Sequence, residues 1–289
     1  MLKRRIIGSI TLKNNWVVQS ISFNKYLPIG QLKYSVNILD RWGVDEIIVF
    51  DIDASKLGYS PNFKLYKEST KNINVPLTVG GGIRDVSDMI NALQSGADKI
   101  CLNHSILENT QIIFKGSKTL GRQCIVVSID VVNNGKRYEV FDHIKKKSTG
   151  LSPLELSKKA VDLGAGELVV RSIHNDGMKN GYEIELISEI SDNVSVPVIA
   201  AGGYGNPIHL LDCFNNTNIS ACAIGNSLNY TEHSIGMIKS YLSERNSEIR
   251  HETSFKYSNN VINKNGRITK YDDDYLEKLI FEKFPKVKI

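Results

Sequence analysis

The segment VPLTVGGG at residues 75–82 recurs as VPVIAAGG at residues 196–203, displaced by 121 residues. A second pair, GVDEIIV at residues 43–49 and GAGELVV at residues 164–170, shows the same displacement. An offset shared by separate segments indicates a chain built from two like halves. With four strand–helix units in each half, the chain closes naturally into a (βα)8 TIM barrel, and an open doubly wound sheet is the alternative.

Short apolar segments alternate with amphipathic ones along most of the chain. Eight segments predict strands, at residues 6–11, 46–51, 76–80, 98–102, 124–130, 167–172, 196–201 and 221–225. Helices are predicted near residues 31–42, 85–95, 107–117, 153–163, 183–191, 207–215 and 232–243, and residues 56–73 are ambiguous. Continuous apolar strands separated by helices are typical of a parallel sheet that is covered on both faces.

Composition places the chain among ordinary globular proteins. It has 289 residues, 41% of them hydrophobic and 23% charged, which suits one barrel domain. It has no apolar run of eighteen residues and no signal-peptide pattern, so we expect a cytoplasmic protein that does not enter a membrane.

The cysteines and the net charge exclude several kinds of function. Cys101, Cys124, Cys213 and Cys222 lie in apolar runs without metal-ligand spacing, so we expect structural thiols, no metal and no cofactor. The net charge of +5 is spread along the chain without interleaved aromatic residues. This pattern argues against nucleic-acid binding and is compatible with an anionic small ligand.

The strand–helix alternation ends near Glu248. We therefore expect a barrel over residues 1–250 and an extension over residues 251–289. In the extension, Asp272 to Asp274 precede apolar residues at helical spacing, which predicts a capped amphipathic helix. We expect this extension to pack on the barrel or on a partner.

Glycines follow the third and seventh predicted strands, where the ligand site of such a barrel lies. They are Gly80 to Gly82 and Gly202–Gly203, and each set is accompanied by the end of the next strand, at Asn103–His104 and at Gly225–Asn226. Glycine lets backbone N–H groups approach a phosphate closely, although it also serves tight turns. Two sites related by the repeat favour a ligand with two phosphates or two phosphate-like ends.

Two further sets of polar residues lie at opposite ends of the strands. Asp130 ends the fifth strand, where a general acid or base belongs, and its counterpart in the first half is Thr11. A buried aspartate that holds a loop is the alternative for Asp130. Charges of alternating sign begin four other strands and could close a salt-bridged ring under the core: Arg5, Glu46, Lys99 and Glu167.

The sequence resembles the HisF family, the cyclase subunit of imidazole glycerol phosphate synthase, over roughly residues 1 to 250. The motifs that carry the resemblance are Arg4–Ile7, Asp51–Ser55, Val79–Ile83, Gly96–Lys99, Ser172–Gly177 and Gly202–Gly203. The resemblance implies a subunit of a glutamine-dependent amidotransferase of the lyase class. A HisH-like glutaminase would dock under the barrel, near Ile73, Pro76 and Asp98, and its ammonia would pass through a gate at the four-charge ring.

The resemblance also implies roles for residues at the mouth of the barrel, which is the end formed by the carboxyl ends of the strands. It implies two phosphate-binding sites, each called a grip below. One lies at Gly82 and Asn103, and the second lies at Asp176, Gly177, Gly203, Gly225 and Asn226. The family's two catalytic aspartates correspond to Asp130 and to Thr11, and a lysine of the first loop is replaced by Gln19. A threonine hydroxyl cannot replace an ionised carboxylate as proton acceptor near neutral pH.

These departures favour a particular kind of HisF-like protein. Such relatives accompany a HisH-like glutaminase and a separate amidotransferase in lipopolysaccharide and other surface-polysaccharide pathways, where ammonia converts an acetamido sugar to an acetamidino sugar. The alternatives are a histidine-pathway cyclase and a phosphate-binding barrel with a structural or regulatory role. A HisA-like isomerase is disfavoured because it also needs a carboxylate at position 11.

Overall fold

The computed structural model describes residues 3–230, 233–250, 257, 261–269, 274 and 278. The strands of this part of the chain are β1 (Arg5–Lys13), β2 (Trp16–Ile21), β3 (Lys25–Gln31), β4 (Glu46–Asp51), β5 (Leu77–Gly80), β6 (Lys99–Leu102), β7 (Ile125–Asn133), β8 (Tyr138–Asp142), β9 (Lys147–Ser148), β10 (Glu167–Ser172), β11 (Val198–Ala201) and β12 (Ala221–Ile224). The helices are α1 (Leu32–Trp42), α2 (Ile52–Leu57), α3 (Phe63–Ser69), α4 (Val86–Gln94), α5 (His104–Glu108), α6 (Gln111–Leu120), α7 (Pro153–Asp162), α8 (Ile184–Ser191), α9 (Pro207–Asn216) and α10 (Ser234–Ser243).

Eight parallel strands close into a barrel. Their order around the ring is β1, β4, β5, β6, β7, β10, β11 and β12, and β12 pairs with β1 to complete it. Each corresponds to one of the eight predicted strands, so the predicted (βα)8 TIM barrel is confirmed. The ambiguous segment at residues 56–73 contributes the end of α2 and the short helix α3.

Two antiparallel additions rim the mouth of the barrel, and the hydrophobic pattern did not predict either. The extended strand β1 turns at Asn14 and Asn15, both with positive φ, into the β2–β3 hairpin. Paired asparagines at positive φ suit the two-residue turn that joins right-twisted strands. The second addition, formed by β8 and β9, follows β7. Both lie at the carboxyl ends of barrel strands and therefore lie beside the ligand site.

The barrel interior and the helix-facing layer form two separate hydrophobic clusters. Inward-facing side chains pack along the axis of the barrel, and they include Ile7, Ile48, Val126, Val169 and Ile199. Alternate residues of the same strands pack against the helices in a larger cluster. Burial on both faces explains why the strands are apolar throughout.

A buried ion pair attaches the last helix to the barrel. Lys239 on α10 is 1% exposed, and its Nζ lies 2.7 Å from Asp45 Oδ1. The other oxygen of Asp45 accepts the backbone N–H of Ile6 at 2.7 Å. Because both charges are hydrogen-bonded, the pair fixes α10 beside β1 without leaving a buried ion uncompensated.

The described part of the extension packs on the same helix. The backbone N–H of Tyr257 donates to Ser240 Oγ at 3.0 Å, and the hydroxyl of Tyr241 donates to the carbonyl of Lys264 at 3.2 Å. Ile262 is buried against the barrel core. The helix predicted from Asp272 onward falls largely outside the described residues.

Cys101, Cys213 and Cys222 are buried free thiols, and Cys124 is half-buried. Burial raises the pKa of the Cys101 thiol to about 12, so this side chain stays protonated. In the part of the chain that the structure describes, no helix has the length and apolarity needed to cross a membrane.

Candidate ligand site at the mouth and a charged ring at the base

Two adjoining cavities occupy the carboxyl ends of the strands. The larger, of about 440 Å³, is lined by Gly82, Asn103 and Asp130 among other residues. The smaller, of about 230 Å³, contains the five residues predicted for the second phosphate grip: Asp176, Gly177, Gly203, Gly225 and Asn226. Thr11, Ser20 and Arg171 line both cavities. Each predicted grip therefore has its own cavity, and the two cavities meet at three shared side chains.

In the larger cavity, both residues of the first predicted grip are already hydrogen-bonded to other residues of the protein. Asn103 Nδ2 donates to Asp130 Oδ2 and to the backbone carbonyl of Ser128, both at 3.0 Å. The N–H of Gly82 donates to Ser55 Oγ at 2.9 Å. Gly82 has φ of 72°, and a Cβ there would lie 2.6 Å from the carbonyl oxygen of Tyr59, so packing alone requires glycine.

In the smaller cavity, two side chains of the second predicted grip hold the β2–β3 hairpin. Ser20 Oγ donates to Asp176 Oδ2 at 2.7 Å. The amide of Asn226 accepts from the backbone N–H of Ser20 at 3.1 Å and donates to its carbonyl at 2.6 Å. Burial raises the pKa of Asp176, against the lowering effect of the nearby Arg171 charge. The side chains thus close the hairpin over the cavity, whereas Gly203 contributes backbone alone.

Asp130 has a second polar neighbour, which the sequence did not reveal. The Nδ1 atom of His143 lies 3.8 Å from Asp130 Oδ2, and this nitrogen is buried without a hydrogen-bond partner among the described residues. Burial lowers the pKa of His143 although Asp130 favours its charged form, so the imidazole is neutral near pH 7. A neutral imidazole beside a carboxylate can accept a proton.

The two departures from the HisF pattern fall at different places. Thr11 lines both cavities, so the position lacking a carboxylate does face the ligand space. Gln19 lies on β2, opposite Leu27 of β3, and is not among the residues that line either cavity. Of the two altered positions, Thr11 is therefore the one that faces the cavities.

Arg171 and Phe50 are further residues of the mouth that sequence reasoning missed. Arg171 ends the apolar segment of β10 just as Asp130 ends that of β7, so the same rule could have found it. The guanidinium carbon lies 4.3 Å from the ring centre of Phe50. His143 carried no such signal, because it lies in the turn between β8 and β9. Within the described residues, no group of three or more His, Cys, Asp or Glu side chains is arranged to hold a metal ion.

At the opposite end of the barrel, the four predicted charges form a closed ring. Arg5 Nη1 lies 2.8 Å from Glu46 Oε2, and Arg5 Nη2 donates to Glu167 Oε1. Lys99 Nζ lies 3.0 Å from both oxygens of Glu46 and 2.8 Å from Glu167 Oε2. Each cation therefore bridges both carboxylates, and the ring carries no net charge.

Every charge of the ring is paired, and its two carboxylates are almost completely buried. The side chains of Glu46 and Glu167 are 2% and 7% exposed. Thr78 Oγ1 also donates to Glu46 at 2.8 Å. Burial alone would lower the pKa of Arg5, but Glu167 and then Glu46 outweigh it and raise the pKa. The two glutamates occupy equivalent positions in the 121-residue repeat, which places them on opposite sides of the ring.

The residues predicted for docking lie on one side of this end of the barrel, just before the neighbouring strands β5 and β6. Pro76 and Asp98 are exposed and Ile73 is half-buried. Asp98 Oδ2 accepts the backbone N–H of Leu77 at 2.8 Å, so its carboxylate also fixes the start of β5. Ile73, Pro76 and Asp98 together form a mixed apolar and acidic edge beside the ring.

Comparison with known proteins defines the class to which this barrel belongs. Residues 5–234 match the family described as Histidine biosynthesis protein. The hisF2 protein of Vibrio vulnificus is 37% identical to this chain over 259 residues, which cover 90% of this chain and 95% of that protein. Its name assigns it provisionally as a subunit of imidazole glycerol phosphate synthase. The chain therefore belongs to the HisF family of histidine biosynthesis proteins.

Proposed function

We propose that this protein is the ammonia-conducting, phosphate-ligand-binding subunit of a cytoplasmic glutamine amidotransferase complex. A HisH-like glutaminase would dock on the face that carries Ile73, Pro76 and Asp98. The observation that supports this most is the closed ring of Arg5, Glu46, Lys99 and Glu167, in which every charge is paired.

The position of the ring suits a gate for a small neutral molecule. It lies at the amino ends of the strands, directly below the apolar interior that contains Ile7, Ile48 and Val169. Charges buried in this way are costly unless they are paired, and replacing them with apolar residues is often neutral or stabilising. Because stability alone does not call for charges at this place, the buried ring favours a role in passage. Ammonia in its uncharged form can cross the apolar interior toward the mouth.

The composition of the mouth favours a ligand that is held there without the usual cyclase chemistry. The two cavities offer places for two phosphate-like ends, whereas Thr11 supplies no proton acceptor between them. The ammonia would then serve a separate amidotransferase that amidates a sugar for lipopolysaccharide or another surface polysaccharide.

A second candidate, the cyclase subunit of histidine biosynthesis, is favoured by one observation. His143 lies beside Asp130 in the larger cavity and gives the site a second group able to accept a proton. The name of the Vibrio vulnificus relative points the same way.

Two measurements test these functions. A purified HisH-like glutaminase from the same organism should bind this protein and hydrolyse glutamine faster in the complex. Introducing a charge at the docking edge with Pro76→Glu should weaken binding, whereas Arg84→Glu at the mouth, the matched control, should not. Absence of binding would refute the proposed passage of ammonia through this barrel. Complementation of a cyclase-deficient histidine auxotroph to the level of an authentic cyclase would instead establish the second candidate.

A further inference from the structure

Arg171 occupies the centre of the mouth. Arg171 lies on β10, and its guanidinium contacts the aromatic ring of Phe50. Phe50 lies on β4, the strand directly across the barrel. The two residues are separated by the 121-residue offset of the internal repeat, so each is the other's counterpart in the opposite half. Side chains from opposite strands that touch each other must meet in the interior, near the barrel axis. This places the guanidinium between the two cavities, both of which it lines.

The guanidinium is buried and lacks an anionic partner. Arg171 is 8% exposed, and its guanidinium forms no ion pair and no hydrogen bond with any residue that the structure describes. Its contacts are the faces of two aromatic rings, Phe50 at 4.3 Å and Phe23 at 5.8 Å. The nearby carboxylates of Asp130 and Asp176 bind Asn103 and Ser20 instead.

A guanidinium has five N–H donors in one plane, and stacking on an aromatic face leaves those donors free at its edge. Burial of a charge without a hydrogen-bonding partner is costly, and cation–π contacts offset part of that cost. Since the edge of Arg171 opens on both cavities, its missing partner belongs to a ligand. We infer that Arg171 binds a third anionic group, a carboxylate or a phosphate, on the central part of the ligand.

This inference deepens the proposed function, because it places the third group between the two phosphate-like ends. It also makes the ligand more acidic than the two grips alone require. The alternative is that Arg171 only balances the charges of Asp130 and Asp176 from a distance. A balancing charge needs no directed hydrogen bonds, and this difference is the basis of the test.

The test is calorimetric titration of the purified protein with malonate and, separately, with inorganic phosphate. Arg171→Met should weaken binding of at least one probe tenfold or more, because it removes every donor. Arg171→Lys keeps the charge but cannot donate two parallel hydrogen bonds to one carboxylate or phosphate, so its loss of affinity should be intermediate. Arg84→Met is the matched control, since it removes the same charge from an exposed arginine beside the larger cavity, and it should bind both probes like the wild type.

Selective loss of malonate binding would identify the partner of Arg171 as a carboxylate, and selective loss of phosphate binding would identify it as a phosphate. Phosphate binding that survives in Arg171→Met would leave the two backbone grips of the proposed function standing. Equal affinities for wild type and Arg171→Met, an equal loss in Arg84→Met, or no binding of either probe by the wild type at millimolar concentration would overturn the inference. Should Arg171→Met fail to fold, the comparison of wild type with Arg171→Lys decides.

Discussion

At the scale of single residues, Thr11 and Asp130 are the positions at which the proposed ligand binding and the cyclase chemistry would separate. Both side chains line the larger cavity, and Asn103 orients the carboxylate of Asp130. Thr11 occupies the corresponding place on β1 without an ionisable group. Acid–base groups that act as a pair lose most of their effect when one of them is missing.

We therefore expect very low cyclase turnover, and we expect Thr11→Asp to raise it at least tenfold, a modest share of the roughly 10²- to 10⁴-fold that general acid–base catalysis contributes. Adding Gln19→Lys should raise it further. The assay supplies ammonium directly, so that no glutaminase is needed. Thr11→Asn, which is similar in size but has no carboxylate, should leave turnover unchanged. Wild-type turnover at the level of an authentic cyclase would contradict this explanation.

At the scale of elements, the β2–β3 hairpin is held over the smaller cavity by a few hydrogen bonds to Ser20 and Ser22. Asp176 binds the hydroxyl of Ser20, and Asn226 binds its backbone N–H and carbonyl. The strand β3 is otherwise largely exposed, including Leu27 and Ile29, whereas Val17 and Val18 on β2 are buried. A segment held by few contacts opens at a low free-energy cost.

Asn226→Ala should therefore increase opening of the hairpin. It removes two hydrogen bonds worth roughly 1 kcal/mol each, so amide exchange over residues 16–31 should accelerate by about tenfold or more. Hydrogen–deuterium exchange with mass spectrometry measures this effect. Asn24→Ala, the same change at an exposed turn of the same hairpin, is the control and should leave exchange there nearly unaltered. Unchanged exchange in Asn226→Ala would show that other contacts close the hairpin.

At the scale of the whole molecule, the two proposed functions lie at opposite ends of the barrel. The charged ring lies at the amino ends of the strands, the cavities lie at the carboxyl ends, and the apolar interior joins them. In the proposed function, this arrangement would connect glutaminase docking at the base with ligand binding at the mouth.

Lys99→Met tests that relation, because it removes one cation of the ring and preserves most of the side-chain volume. Glutamine-dependent product formation by the complete complex should fall, while ammonium-dependent formation and glutaminase binding persist. The variant should also lose about 3–5 kcal/mol of stability, since Glu46 and Glu167 each lose a partner. Lys118→Met, on the exposed face of α6, is the control. Full coupling after the ring is broken would refute the conduit.

The sequence by itself determined the architecture of this protein, because the evidence for a (βα)8 barrel is local. Apolar strands, amphipathic helices and the 121-residue repeat can all be found along the chain without knowing which segments touch. The same local evidence placed Asp130 and the glycines at strand ends. The two hairpins were missed, although the paired asparagines at residues 14 and 15 were a usable signal for the first of them.

The tertiary structure alone decided how these groups meet. That each cation of the ring would bridge both glutamates, that Asp176 and Asn226 would hold Ser20, and that Arg171 would stack on Phe50 all depend on distances across the barrel. Such distances are set when β7 pairs with β10 and β12 pairs with β1. No local pattern encodes them, because residues on opposite strands become neighbours only after the sheet has closed.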